Sequence, residues 1–318
     1  MALPKPILTA YVLLIAVLVY RALYYPAELA GPPPKQRCTF DWKRARCSAG
    51  CTLKLPGGCK RTDATALPPA PAVDVSQADS LMRKRTVANC LAAADIYEAA
   101  AGPEATTGPA RQLQLKAADA INCAMRIETN GNIMVLEGTV DTPAAKKFWG
   151  LHGQRALNLV RSAKKDAALA SDASLAAAEM DAFMYASSAK GIIQQALTGA
   201  GSEFVKLANV LVSKHPTWDN GIGRNFLAGF YNIAPWPLGD KKRALAEVMK
   251  TQTRHPHSRR NNYYACLLHL QQGETAAAIG HCEAALRAKC VGTTEPDYCG
   301  FLTSEIHRLL KVARAQIG

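Results

Sequence analysis

At 318 residues, with 49% hydrophobic and 20% charged residues and a formal charge of +13, the chain is globular in composition and long enough for one large or two modest domains. The basic residues are spread along the chain without interleaved aromatics, which argues against a nucleic-acid surface built from alternating cations and stacking rings. Alanine dominates segments such as 91–101 and 167–178, and alanine loses the least entropy in a helix, so the expected fold class is all-α.

Ile7 to Tyr20 is apolar apart from Thr9. Extended past a snorkelling Arg21 to Tyr25, it reaches 19 residues, a length that just spans a bilayer. Tyr24 and Tyr25 suit the interface, and Pro26 stops the helix. The alternative is a cleaved signal peptide, with Lys5 as its basic start. The candidate cuts after Ala27 and Ala30, however, place Tyr25 and Glu28 at the −3 position, where small residues are required. The favoured reading makes residues 1–27 a single N-terminal transmembrane anchor in contact with membrane lipid.

Residues 28–75 follow as a proline-rich, basic module with Cys38, Cys47, Cys51 and Cys59 and no helical or strand periodicity. The four cysteines are disulfide candidates. A zinc site is the alternative, but their spacing lacks the regular pairs of a ligand knuckle. Ala66 to Pro71 reads as an extended spacer.

From residue 76 onward, caps and breakers mark helices at Ser76 to Ala101, Pro109 to Ile127 and Pro143 to about Ala168. Further helices are expected at Ala173 to Leu197, Ser202 to Ser213, Trp218 to Ile233, Asp240 to Arg254, Arg259 to Gln272, Glu274 to Ala288 and Leu302 to Ile317. Gly239-Asp240, Ala244, Val248 and Thr251 recur 34 residues later as Gly273-Glu274, Ala278, Cys282 and Ala285, the period of tetratricopeptide repeats. Glycine is expected to end one helix in a left-handed cap while the acid opens the next. Residues 76–318 are therefore expected to form a tetratricopeptide-like stack of antiparallel helical hairpins.

Ten cysteines make an even count. Cys90 lies 12 residues before Gly102 and Cys123 lies 14 after Pro109, so an antiparallel hairpin sets them at nearly equal heights. Cys266 and Cys282 match similarly about Gly273-Glu274, and Cys290 with Cys299 would close the loop that follows. Buried thiols are the alternative, since free cysteine packs as a small core residue. Two height-matched pairs and a loop pair favour disulfides and an oxidising compartment. Opposing this, Arg21, Lys35, Arg37, Lys43, Arg44 and Arg46 follow the anchor while Lys5 and the amine precede it, a bias that would keep the body cytosolic. Cleavage of the segment would remove the conflict, as would import by another route into the mitochondrial intermembrane space, where disulfides also form. The cysteine geometry carries slightly more weight, so the body is expected in an oxidising compartment, whether extracytoplasmic, a secretory lumen or that space.

No phosphate-cradling glycine loop, His-Glu-x-x-His helix or Gly-x-Ser-x-Gly elbow occurs, and Gly221-Ile222-Gly223 follows no strand. His255-Pro256-His257 offers two potential metal ligands but reads better as a solvated inter-helix turn. The expectation is a protein without catalytic residues, metal or cofactor. Tetratricopeptide stacks present the first helix of each hairpin on a concave face, which makes Asn225, Asn232, Arg260, Tyr263 and Gln271 the candidates for partner contact, with helix packing and capping as the alternative.

The order Lys214-His215-Pro216-Thr217-Trp218-Asp219-Asn220-Gly221, Arg224-Asn225-Phe226-Leu227 and Ala234-Pro235-Trp236-Pro237-Leu238-Gly239-Asp240-Lys241-Lys242-Arg243-Ala244 resembles the T component of tripartite ATP-independent periplasmic (TRAP) transporters, over about Trp149 to Leu286. The resemblance implies an extracytoplasmic helical protein that associates with a substrate-binding partner and can form homo-oligomers. Unlike that family, the chain has no lipid-attachment cysteine just after its apolar segment. A weaker likeness is to the regulator of microtubule dynamics family, which joins a membrane segment to degenerate tetratricopeptide helices facing the cytosol. The expected function is a membrane-tethered scaffold that binds other protein subunits. The alternative is a transport component holding a hydrophobic ligand between helices near Phe183, Met184, Phe226 and Phe230, residues that also suit an ordinary core.

Overall fold

The computed structural model describes residues 74–103, 105–130, 142–191, 198–234 and 237–317, together with the backbone pairing at 40–41 and 46–47. The chain divides into two compact units, Met1–Pro68 and Pro69–Gly318. In the first, β1 (Phe40–Asp41) pairs antiparallel with β2 (Arg46–Cys47), a short ladder that sequence periodicity did not reveal. The expected anchor, the spacer and the side chains of Cys38, Cys47, Cys51 and Cys59 lie outside the described residues. Among those described, no helix is long and apolar enough to cross a membrane.

The described residues of the second unit form helices joined by turns, with no strand among them. Its α-helices are α1 (Ser76–Lys84), α2 (Val87–Ala101), α3 (Gly108–Glu128), α4 (Pro143–Ala163), α5 (Ala173–Ser188), α6 (Ala200–Lys214), α7 (Ile222–Ile233), α8 (Lys241–Arg254), α9 (Arg259–Gln271), α10 (Thr275–Arg287) and α11 (Cys299–Ala315), with 3-10 turns at Trp218–Asn220 and Glu295–Tyr298. Hydroxyl and carboxylate caps set the starts. Thr86 accepts from Asn89 N at 3.2 Å, Thr142 from Ala145 N at 3.1 Å, Asp240 from Arg243 N at 2.9 Å and Ser258 from Asn261 N at 3.2 Å, each satisfying an orphan amide of a first turn.

The boundaries depart from the sequence expectation where a local device intervenes. The single helix expected over Ser76 to Ala101 breaks at Arg85, whose φ of 41° is left-handed, before Thr86 caps α2. Helix α4 stops at Ala163 because Asp166 folds its own turn, its carboxylate accepting from Ala168 N at 2.9 Å. Helix α5 ends at Ser188, short of the expected Leu197, and residues 192–197 lie outside the described set.

Consecutive helices pack against one another from α2 to α11. Two glycines permit the closest approaches. A Cβ on Gly153 of α4 would lie 2.6 Å from the Ala186 amide of α5, and one on Gly223 of α7 would lie 2.7 Å from the Leu211 Cβ of α6. Gly223, which looked like a fragment of a nucleotide motif, is therefore a packing residue. The 34-residue matches Ala244 with Ala278, Val248 with Cys282 and Thr251 with Ala285 are all buried in the core. Their glycines differ in cause: Gly273 has the expected left-handed φ of 78°, whereas Gly239 is needed because a Cβ would meet the Ala234 carbonyl oxygen at 2.2 Å. The acids differ too, since Asp240 caps its helix and Glu274 instead holds His269 Nδ1 at 2.5 Å.

Three cysteine pairs stand at disulfide distance. The Cα–Cα separations are 6.1 Å for Cys90 and Cys123 and 5.1 Å for Cys266 and Cys282, as the height-matching of the hairpins anticipates, and 5.9 Å for Cys290 and Cys299, which close the loop that follows.

Candidate interaction cleft

The segment 291–298 links α10 to α11, and its ends are joined by the Cys290–Cys299 pair. Instead of looping into solvent it turns its acids and hydroxyls inward, onto helices far away in sequence. The fully buried Asp297 carboxylate accepts from Arg126 Nε of α3 at 2.7 Å and from the Arg85 guanidinium at the end of α1. Arg126 is itself 1% exposed and donates its other arm to Asp181 of α5 at 2.5 Å. A single carboxylate from near the C-terminus thus ties together α1, α3 and, through Arg126, α5.

A second network forms around Arg260 of α9, which is fully buried. Its Nη1 donates to Asp219 Oδ2 at 3.0 Å, Thr294 Oγ1 at 2.9 Å and Tyr298 Oη at 3.0 Å, and its Nη2 donates to the Asp219 carbonyl. Glu295 completes the grip by accepting from the Arg260 amide at 2.8 Å and from Ser258 Oγ at 3.1 Å. On the far side, Asp219 Oδ1 accepts from Thr293 N at 2.6 Å and Oδ2 accepts from Thr294 Oγ1 at 2.5 Å. Asp219 and Asn220 both hold left-handed φ values, 44° and 58°, conformations costly for non-glycine residues and sustained here by this bonding. Gly292 must be glycine, since a Cβ would lie 2.2 Å from Asp219 Oδ1.

The electrostatics follow from burial and pairing. Burial raises the Asp181 carboxyl, and Arg126 only partly offsets it, leaving its pKa at about 6. Burial acts the same way on Asp219, but there the Arg260 charge and the Thr294 hydroxyl outweigh it and hold the carboxyl below its usual value. Burial raises Glu295 despite the Arg260 charge. The chemistry assembled in this cleft is carboxylate recognition by guanidinium groups, hydroxyls and backbone amides.

The predicted contact residues fall in two groups. Arg260, Asn225 and Tyr263 are buried. Asn225 donates to Asn261 Oδ1 at 2.8 Å, Asn261 donates to the Asn220 carbonyl at 3.0 Å, and Tyr263 packs on Tyr264. Contact between Arg260 and a partner would require segment 291–298 to move. Asn232, near the end of α7, and Gln271, at the end of α9, are half-buried. Sequence reasoning did not single out Arg126, Asp181, Asp219 or Asp297. The available signal was an arginine within the otherwise helical core run Ile121 to Ile127 and an aspartate amid the buried face of α5.

Of the four aromatic and sulfur residues weighed for a ligand channel, Met184 and Phe226 are buried, and Phe230 stacks on Phe204 with ring centroids 5.8 Å apart. Phe183 lines a cavity of 230 Å³ with Leu157, Arg161, Lys190 and Glu203. Among the described residues, no group of three or more His, Cys, Asp or Glu side chains is placed to hold a metal. No protein-family model matches the chain, and no curated protein matches it.

Proposed function

We propose that the chain is a non-enzymatic, membrane-tethered scaffold of tetratricopeptide-like hairpins, an accessory or assembly subunit of a larger membrane complex whose helical body lies in an oxidising compartment. The observation that carries this reading is a run of consecutively packed helices, two of whose hairpins hold cysteine pairs at disulfide distance. Such pairs persist in oxidising spaces and fix a hairpin surface for a partner to meet. Residues 1–27 supply the tether and contact lipid, and the partners are other protein subunits.

The first test is mass spectrometry of the thiol-blocked protein, mapping disulfides and the N-terminal peptide in one digest, followed by cross-linking in native membranes. The expected result is three linked pairs, an intact N-terminal segment and cross-links to other subunits. Free thiols throughout would move the body to the cytosol and overturn the compartment. An absence of cross-linked subunits would overturn the scaffold.

The Phe183 cavity supports a second reading, a solute-binding or docking component of a transport system resembling the TRAP T component. A Phe183→Ala change that abolishes uptake while leaving subunit cross-links intact would favour it over the scaffold.

A further inference from the structure

Segment 291–298 is bonded like a bound ligand. Its acids, Glu295 and Asp297, its hydroxyls on Thr294 and Tyr298 and its Thr293 amide each contact residues from elsewhere in the chain. Val291, Gly292, Thr293 and Pro296 are exposed, so the segment lies at the surface with one face sunk in the cleft. Removing it would leave Arg85 without its Asp297 partner and take from Arg126 one of three carboxylates, the others being Asp181 at 2.5 Å and Asp119 at 3.7 Å.

The closure that holds the segment also differs from the other two. Cys90, Cys123, Cys266 and Cys282 are fully buried, whereas Cys290 and Cys299 are half-buried and open to a reagent. Arg259 Nη1 lies 3.5 Å from Cys299 Sγ, where its charge stabilises a departing thiolate.

We infer that segment 291–298 is a built-in strap occupying a cleft for an acidic peptide, and that opening the Cys290–Cys299 bond exposes Arg85, Arg126, Arg260 and Ser258 to a carboxylate-bearing segment of a partner protein. The inference rests on the scaffold reading and names the chemistry of its partner. A dithiol reductant drives the opening. Its thiolate attacks Cys290 Sγ, the disulfide bond breaks, and Cys299 leaves as a thiolate beside Arg259. The second thiol of the reductant then resolves the mixed disulfide, leaving Cys290 reduced and the reductant oxidised to its own disulfide. While closed, the strap competes at the high effective concentration of a tethered ligand.

The test uses the full-length chain treated with limiting dithiothreitol and then alkylated. Label is expected at Cys290 and Cys299 before the four buried cysteines, with faster hydrogen exchange across 291–298. A fluorescent peptide of sequence Val-Gly-Thr-Thr-Glu-Pro-Asp-Tyr should bind the reduced chain about tenfold more tightly than the oxidised chain. It should lose a similar factor when it carries Glu295→Gln and Asp297→Asn, because its charge-assisted bonds are gone. The double variant Cys290→Ser/Cys299→Ser should bind the peptide without reductant. Equal binding to oxidised and reduced chains, equal binding of the neutral peptide, or labelling of Cys290 and Cys299 no earlier than Cys90, Cys123, Cys266 and Cys282 overturns the inference. So does loss of helical circular dichroism in both the reduced chain and the double variant, since the strap is then part of the fold and not a displaceable ligand. Any of these results alongside cross-linked subunits in native membranes removes the strap alone and leaves the scaffold standing.

Discussion

Arg126 and Arg260 are both buried, both hold carboxylates and both bind segment 291–298, yet the aspartates beside them titrate in opposite directions. Among the described residues, Asp181 has one close donor, Arg126, shared with Asp297, and its Oδ1 has no hydrogen-bond partner. Asp219 is surrounded by Arg260, the Thr294 hydroxyl and the Thr293 amide. Both lie in low dielectric, so the number of donors aimed at the charged form decides the outcome. A buried arginine is therefore not enough by itself to hold down the pKa of a buried aspartate.

Replacing each arginine by methionine should separate the two networks most strongly. Arg260→Met leaves Asp219 charged and dry, an expected loss of about 3–5 kcal/mol in chemical denaturation. Arg126→Met should cost less, because Asp181 can take a proton and Asp297 keeps Arg85. Equal losses would break the comparison.

The aspartates themselves give the next largest contrast. Asp219→Asn removes a charge that Arg260 needs and should cost about 3 kcal/mol at pH 7, whereas Asp181→Asn removes a charge already disfavoured and should cost under about 1 kcal/mol.

The pH profile sharpens the same point. With its folded pKa raised to about 6, Asp181 binds a proton in the native state that the unfolded chain has already released. Its contribution is complete below about pH 4 and is lost as the pH rises through 6. Stability attributable to this group should fall by about 2–3 kcal/mol over that window, and Asp181→Asn should flatten the slope. Asp219 acts oppositely: its depressed pKa contributes stability above about pH 4 that is lost on acidification through the folded value.

Two smaller substitutions address one network each. Gly292→Ala forces a methyl group against Asp219 Oδ1 and should cost about 1–3 kcal/mol while leaving the Arg126 side intact. Thr86→Ala removes the cap of α2 beside Arg85 and should cost about 1 kcal/mol, measured as a fall in Tm.

The helices were legible because their signals are local. Thr142-Pro143, Asp240 and Ser258 open helices through bonds to amides three residues on, and alanine-rich faces carry the packing. The cysteine pairs were legible for a related reason, since antiparallel hairpins fix heights by counting from the turn. The break at Arg85 was hidden, although Thr86 is a good capping residue, because a left-handed arginine is stabilised by a partner more than two hundred residues away.

Composition, capping and cysteine spacing thus determined that this chain builds paired helices and which six cysteines of the helical unit meet, because those features depend on neighbours close in sequence. The tertiary structure alone decided that Asp297 reaches α3, that Arg260 faces Thr294 and Tyr298 instead of solvent, and that the Asp181 and Asp219 carboxyls are shifted in opposite directions. Burial and donor geometry, which set those outcomes, arise from residues brought together only when the chain folds.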